Sequence, residues 1–159
     1  MKSFDICSGY LQAKITPPLA DFLPKETTIE PVSSEPKEQN PLKSAKLVFL
    51  GGRGLKRSEN YLRLKAVAKK YGAVCACTRP VAMNGWESYD YFVGISGTCL
   101  ENCTVVAFGV SGAGPLIKGI EKADRIIAVN TDPNALIFDY ADYALIDNCM
   151  DVIKMLEEL

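Results

Sequence analysis

From residue 45 onward the chain alternates short apolar runs with longer segments of helical periodicity. Lys46-Leu47-Val48-Phe49-Leu50 is continuously apolar after its first residue and stops at Gly51-Gly52. A short unbroken run of this kind marks a strand buried on both faces of a parallel sheet. The next segment predicts a helix from a capping Ser58 through Tyr71. Leu64, Val67, Ala68 and Tyr71 fall on one face, and Gly72 follows as the C′ residue. Ala73 to Thr78 predicts a second strand, and Thr104 to Phe108 another that breaks at Gly109. Pro115 suits the start of a helix running toward Ala123. Arg125 to Val129 predicts a strand ending at Asn130, and Tyr143 to Ile146 the last one. Cys149 to Leu159 predicts a closing helix with Val152, Ile153, Leu156 and Leu159 on one face. Strand, turn and helix in repetition predict βαβ units. The expected fold is α/β, a doubly wound, mainly parallel sheet flanked by helices, Rossmann-like.

The pattern is different before residue 45. Six of the nine prolines lie between Pro17 and Pro41, mixed with Glu, Lys, Ser and Thr, and one of the twelve glycines precedes residue 51. Such a stretch has little apolar surface to bury and reads as an extended linker over 17–44. Ahead of it, 1–16 reads as a short strand at Tyr10 to Ile15 or the remnant of a preceding domain. The folded unit is then 45–159.

Composition narrows the chemistry. A net charge of −1 favours neither nucleic acid nor an anionic membrane. No apolar run reaches the roughly 18 residues of a membrane span. Residues 1–10 lack the apolar core of a secretory signal. Six cysteines without such a signal point to free thiols in a reducing interior, the cytoplasm or, in a eukaryote, the mitochondrial matrix. Cys75 and Cys77, with Cys99 and Cys103, have an uncommon spacing for zinc and read as buried strand thiols. The chain has no histidine, which removes Ser-His and Cys-His catalysis and disfavours a hydrolase.

The unusual residues gather at the predicted strand ends, where parallel sheets bind ligands. They are Gly51-Gly52-Arg53-Gly54, Thr78-Arg79-Pro80, Gly109-Val110-Ser111-Gly112-Ala113-Gly114 and Asn130-Thr131-Asp132-Pro133. Ser111 to Pro115, leading into a helix, fits a pyrophosphate cradle, with Arg53 and Arg79 adding charge and planar donors. Neither glycine cluster completes the dinucleotide fingerprint or a GxxxxGK[ST] loop, so tight turns explain the glycines equally well.

Taken together the loops have a family likeness. Gly51-Gly52-Arg53-Gly54-Leu55 followed by Ser58-Glu59-Asn60-Tyr61 resembles the GGRGL…ENF opening of the FAD domain of electron-transfer flavoprotein alpha subunits. Thr78-Arg79-Pro80 with Gly85-Trp86, Val93 to Gly97, Gly109 to Ala113, Val129 to Phe138 and Ala141-Asp142-Tyr143 resemble further motifs of that family, in the same order. The resemblance implies an FAD along these loops. Arg53 and Ser111, Gly112, Ala113, Gly114, Pro115 and Leu116 are then expected along its phosphates and isoalloxazine. Arg79, next to Thr78, is expected near the flavin ring, and Val93, Gly94, Ile95 and Ser96 beside it. Asn130, Asn148 and Cys149 are expected at the adenosine end. Three positions depart from the family pattern: Ile95 stands for a glutamine, Leu116 for a histidine and Asn148 for an aspartate.

The function implied is electron carriage: bound FAD takes electrons from a dehydrogenase and passes them on, in a heterodimer with a beta-subunit-like protein. The alternatives are a nucleotide-binding module holding NAD or AMP, and a structural subunit holding no cofactor.

Overall fold

The structure, a computed structural model, describes residues 6–8 and 40–159. The strands are β1 (Ile6–Ser8), β2 (Leu47–Gly51), β3 (Val74–Cys77), β4 (Thr104–Phe108), β5 (Arg125–Asn130) and β6 (Tyr143–Ile146). The helices are α1 (Ser58–Lys70), α2 (Arg79–Met83), α3 (Gly114–Ile120) and α4 (Cys149–Glu158). Among the described residues the strands form one sheet in the order β1-β6-β5-β4-β2-β3, with every neighbouring pair parallel. The fold is the expected α/β, parallel and flanked by helices.

The apolar runs are continuous because each inner strand is covered twice. Leu47, Phe49, Val106, Phe108, Ile127 and Val129 point to the face packed by α1 and α4. Val48, Leu50, Val105, Ala107, Ile126 and Ala128 point to the opposite face, toward α3 and the turns around it. Val48, Phe49 and Leu50 have no exposed surface. Burying each such side chain contributes about 1.5–3 kcal/mol.

Four local expectations change. Ser58 is the first helical residue of α1; the cap is Arg57, which has extended backbone and no side-chain cap bond. The other end is as expected. Gly72 N–H bonds to Lys69 O at 3.2 Å and Ala73 N–H to Ala68 O at 2.8 Å, the paired closure of a Schellman motif. Next, α3 stops at Ile120 rather than near Ala123, because Lys122 bridges to Glu101 and Asp124 N–H bonds to Cys103 O, drawing the chain into β5. Leu159, expected on the inner face of α4, is exposed; it follows the last helical residue, beyond the reach of the core. Finally, Thr78 to Pro80 opens a short helix, α2. Pro80 near its start supplied a signal for it.

After Ser8 the described residues resume at Asn40. Pro41–Lys43, inside the stretch expected to be linker, forms a 3-10 turn capped by Asn40, and Leu42 is buried. The short strand expected at Tyr10 to Ile15 lies outside the described residues. A three-residue strand occupies 6–8, pairing Ile6 with Ala144 and Ser8 with Ile146.

Candidate functional site

The chain direction across the sheet reverses at β2: β3 lies on one side of it and β4, β5 and β6 on the other. Loops leaving β2 and β4 at such a switch point diverge and leave a crevice beyond the carboxyl ends. A cleft of about 1090 Å³ lies there, just above the roughly 300–1,000 Å³ of small-molecule sites.

The floor is made by backbone packed on backbone. Gly52 N–H donates to Phe108 O, and Gly54 N–H donates to Gly109 O, both at 2.9 Å. A Cβ on Gly52 would fall 2.4 Å from Gly109 O, and Gly109 itself has φ +65°. These glycines let the β2 and β4 loops touch, and the contact accounts for them without a ligand. Gly112 serves the next junction: its φ is +90°, and a Cβ there would fall 2.3 Å from Ile137 N.

The walls come from the other strand ends. Thr78 N–H bonds to Gly51 O at 3.1 Å, and Thr78 O accepts from Val81 N–H and Ala82 N–H, which starts α2. That turn presents Arg79 at its exposed first position. Opposite, Val93 N–H bonds to Cys77 O at 3.0 Å and Ile95 N–H to Pro115 O at 2.8 Å, so the 93–96 loop bridges β3 and α3. At the β5 end the Asn130 Nδ2 donates to Val110 O at 2.9 Å, and its Oδ1 accepts from Asp132 N–H at 3.0 Å. Asn130 therefore braces two cleft loops against each other.

Most of the expected site residues line this cleft: Arg53, Thr78, Arg79, Val93, Gly94, Ile95, Ser96, Ser111, Ala113, Pro115, Leu116 and Asn130. Gly112, Gly114, Asn148 and Cys149 do not. Gly112 is turned onto the Leu136–Asp139 turn. Asn148 caps α4, accepting from Met150 N–H at 2.9 Å through Oδ1. Cys149 is buried on the α1–α4 face, its Sγ 3.4 Å from Val129 O. Sequence reasoning missed Lys56, Phe92, Asp132, Asn134, Ala135 and Leu136 as lining residues. Asp132, Asn134, Ala135 and Leu136 lay within the Val129 to Phe138 stretch already singled out, and Phe92 precedes Val93, but nothing in the pattern marked Lys56.

Two features of the lining point to an anionic, hydrogen-bonding occupant. Arg53, Lys56 and Arg79 line the cleft against one carboxylate, Asp132, and among the described residues none of the three has an ion-pair partner. The Thr78 hydroxyl oxygen is buried and has no partner among the described residues. A buried hydroxyl left unpaired costs about 1–3 kcal/mol, and a ligand acceptor or donor at that strand end would relieve it. The apolar share of the lining, with Val93, Val110, Leu116 and the exposed Ile95 and Leu136, suits a flat ring system.

The thiols lie elsewhere. Burial pushes Cys75 and Cys77 up to about 12 and Cys149 up to about 11. They are protonated core groups at neutral pH. Among the described residues no cluster of His, Cys, Asp or Glu has the arrangement of a metal site. No described helix is long and apolar enough to cross a membrane.

Comparison with known proteins agrees with this geometry. Residues 41–121 match the electron transfer flavoprotein FAD-binding domain. The chain belongs to that family. FAD is the cofactor of the domain, and the cationic lining, the unpaired hydroxyl and the size of the cleft fit it. Relatives extend beyond the matched region. Protein FixB of Azotobacter vinelandii is 36% identical over 148 residues, covering 93% of this chain and 39% of that protein. The mitochondrial electron transfer flavoprotein subunit alpha of Arabidopsis thaliana is 38% identical over 128 residues, covering 80% and 35%. That of Dictyostelium discoideum is 35% identical over 143 residues, covering 89% and 40%. The chain thus spans well under half the length of these relatives.

Proposed function

We propose that this domain holds FAD across the carboxyl ends of its strands and acts as an electron carrier, in the manner of an electron transfer flavoprotein alpha subunit. The carrying observation is the cleft at the β2–β4 switch point, where three cations and a buried hydroxyl have no partners among the described residues. Bound FAD supplies reversible uptake and release of electrons. The protein's own groups bind and orient it. Arg53 and Lys56 neutralise phosphate charge, and Arg79, at the end of β3, favours the added negative charge of a reduced flavin. Ser96 offers a hydroxyl from the facing loop. Val93, Val110 and Leu116 keep water from the ring. Asn130 holds the β4 and β5 loops in register at the adenosine end, where Asn148 and Cys149 stand behind the wall rather than in it.

The cleft is open to solvent on one side, and exposed Ile95 and Leu136 flank it. This supports a second reading on the same site: a beta-subunit-like partner covers the cofactor in a heterodimer, and a dehydrogenase delivers the electrons, in the cytoplasm or the mitochondrial matrix. The test is reconstitution of the full chain with FAD, alone and co-expressed with a beta-subunit-like protein. Flavin absorbance should co-elute with the chain, more completely with the partner, and should bleach and recover on reduction and reoxidation. A colourless chain that takes up AMP or NAD in place of FAD would overturn the proposal. Equal retention with and without the partner would remove the covering role.

A further inference from the structure

The loop that contributes Val93 to Ser96 is held from behind by a segment far from it in sequence. Within the loop, Thr98 N–H donates to Phe92 O at 2.9 Å, and Gly94 N–H donates to Thr98 O at 3.2 Å. Thr98 is therefore the residue that closes the loop at its base, while Ile95, Ser96 and Gly97 at the tip are exposed. The Thr98 hydroxyl accepts a hydrogen bond from Asn40 Nδ2 at 2.6 Å, across 58 residues of chain.

Asn40 is itself fixed by its own turn. Its Oδ1 accepts from Leu42 N–H at 3.0 Å, and its carbonyl accepts from Lys43 N–H at 3.0 Å. The Nδ2 donor is thus presented in one orientation, with little left to order when it meets Thr98. Leu42 then anchors the turn. It is 2% exposed and belongs to the apolar cluster that contains Val93, Leu100, Leu116 and Ile117. Of these, Val93 and Leu116 also line the cleft.

We propose that Asn40 and Leu42 are positioning residues for the cofactor: they pin the base of the 93–98 loop and so set how tightly the cleft holds its ligand. Neither residue lines the cleft; both act through the loop. The physical reason is that backbone bonds to Cys77 O, Pro115 O and Phe92 O fix the course of the loop, while the Asn40 bond adds a side-chain tie from a separate segment. That tie limits rocking of the Thr98 end, and such rocking would shift Ile95 and Ser96 relative to the ligand. Closing the base removes that freedom before the ligand arrives, so less conformational entropy is lost on binding. The inference rests on the FAD reading of the cleft.

The test uses the full chain and FAD as probe, with Asn40→Ala, Thr98→Val, the double variant and Asn40→Asp. Asp keeps the acceptor for Leu42 N–H and lets the Thr98 hydroxyl donate, so it should rescue. FAD dissociation constants, the spectrum of bound flavin and hydrogen exchange of the FAD-free protein are measured. The dissociation constant should rise about three- to tenfold in each single variant, the usual worth of one hydrogen bond. The double variant should be no weaker than the weaker single, and Asn40→Asp should bind as wild type. Amides of Gly94 and Thr98 should exchange faster in Asn40→Ala, with β4 and β5 unaffected. Faster loop exchange with unchanged FAD affinity overturns the inference, as does lost affinity without faster loop exchange. A wild-type chain that binds no FAD defeats the cofactor reading and the affinity claim together, while the exchange measurement still shows whether the pin exists.

Discussion

The two faces of the sheet are covered in different ways. One carries two regular helices, α1 of 13 residues and α4 of 10, which lay apolar stripes over Phe49, Val106, Phe108 and Val129. Arg63 ties them at the rim through Glu157 at 2.7 Å, and Tyr71 Oη donates to Leu156 O at 2.8 Å. The other face carries α3 of 7 residues, two 3-10 turns and the later part of the irregular connection between α2 and β4, through Val93, Leu100 and Cys103. Regular helices bury a stripe efficiently but keep their backbone groups to themselves. Irregular segments bury less per residue, yet they bring carbonyls, amides and side chains such as Ser96 and Ser111 to the strand ends. The first face is scaffold; the second is scaffold and cleft wall together.

The largest expected effect tests that division. Phe49→Ala removes a fully buried ring from the helical face and should cost about 3–5 kcal/mol of stability by denaturant titration. The protein that remains folded should bind FAD as before. Leu116→Ala on the other face should weaken FAD binding as well as the fold. Equal loss of affinity in both variants would erase the distinction between the faces.

Charge in the cleft comes next. Arg79→Ala should weaken the stabilisation of reduced flavin by about 1.5–3 kcal/mol, the cost of a lost charge-assisted hydrogen bond. Lys69→Ala, on the exposed side of α1, should change it by about 0–0.5 kcal/mol. Midpoint potentials of the two variants decide the matter, and equal values would remove Arg79 from the flavin.

The thiols of the helical face give a pH dependence. Cys75 and Cys77 rise from an ordinary 9.0 to about 12 because burial disfavours the thiolate. Unfolded chains lose these protons near pH 9 while the fold keeps them. Stability is therefore full below pH 9 and falls as pH rises toward 12, by about 1.4 kcal/mol per pH unit for each thiol. Burial also lifts the Tyr61 hydroxyl, which adds to the slope above its ordinary 10.0. Denaturant titrations across this range should show the loss, and Cys75→Ala should make it shallower. A flat profile would mean that water reaches this face.

The smallest effect concerns the border between scaffold and site. Asn148→Ala removes the α4 cap and should cost about 1 kcal/mol, with Asn148→Ser close to wild type. Thermal melts read the first, and FAD titration sharpens it. Unchanged affinity keeps Asn148 in the scaffold, whereas a drop would bring it to the adenosine end of the ligand.

Much of this was legible along the chain. Unbroken runs such as Leu47 to Leu50 and Val105 to Phe108 announce strands covered on both faces, and alternation with helical segments announces a parallel sheet. The strand-end loops were legible too, because Arg53, Arg79 and Asn130 stand next to chain-turning residues. Asn40 was hidden in a proline-rich stretch that reads as linker. Its partner, Thr98, is 58 residues away, and nothing local marks a hydrogen bond of that span. Lys56 was hidden for a related reason: its place on the cleft follows from how its loop folds over, not from its own neighbours.

By itself, then, the sequence determined the order and type of the main elements, because strand and helix periodicity are local consequences of which side chains must leave water. It also placed the polar loops at one end of the sheet. Tertiary structure alone decided which glycines serve packing. Gly52 and Gly109 are small because two backbones cross there: a Cβ on Gly52 would fall 2.4 Å from Gly109 O, and one on Gly109 would fall 2.8 Å from the Gly54 backbone. It decided as well that Asn148 caps a helix, that Cys149 faces the core, and that a turn at Asn40 holds a cleft loop. Such roles depend on distances between segments remote along the chain, and no local pattern of polar and apolar residues encodes a distance of that kind.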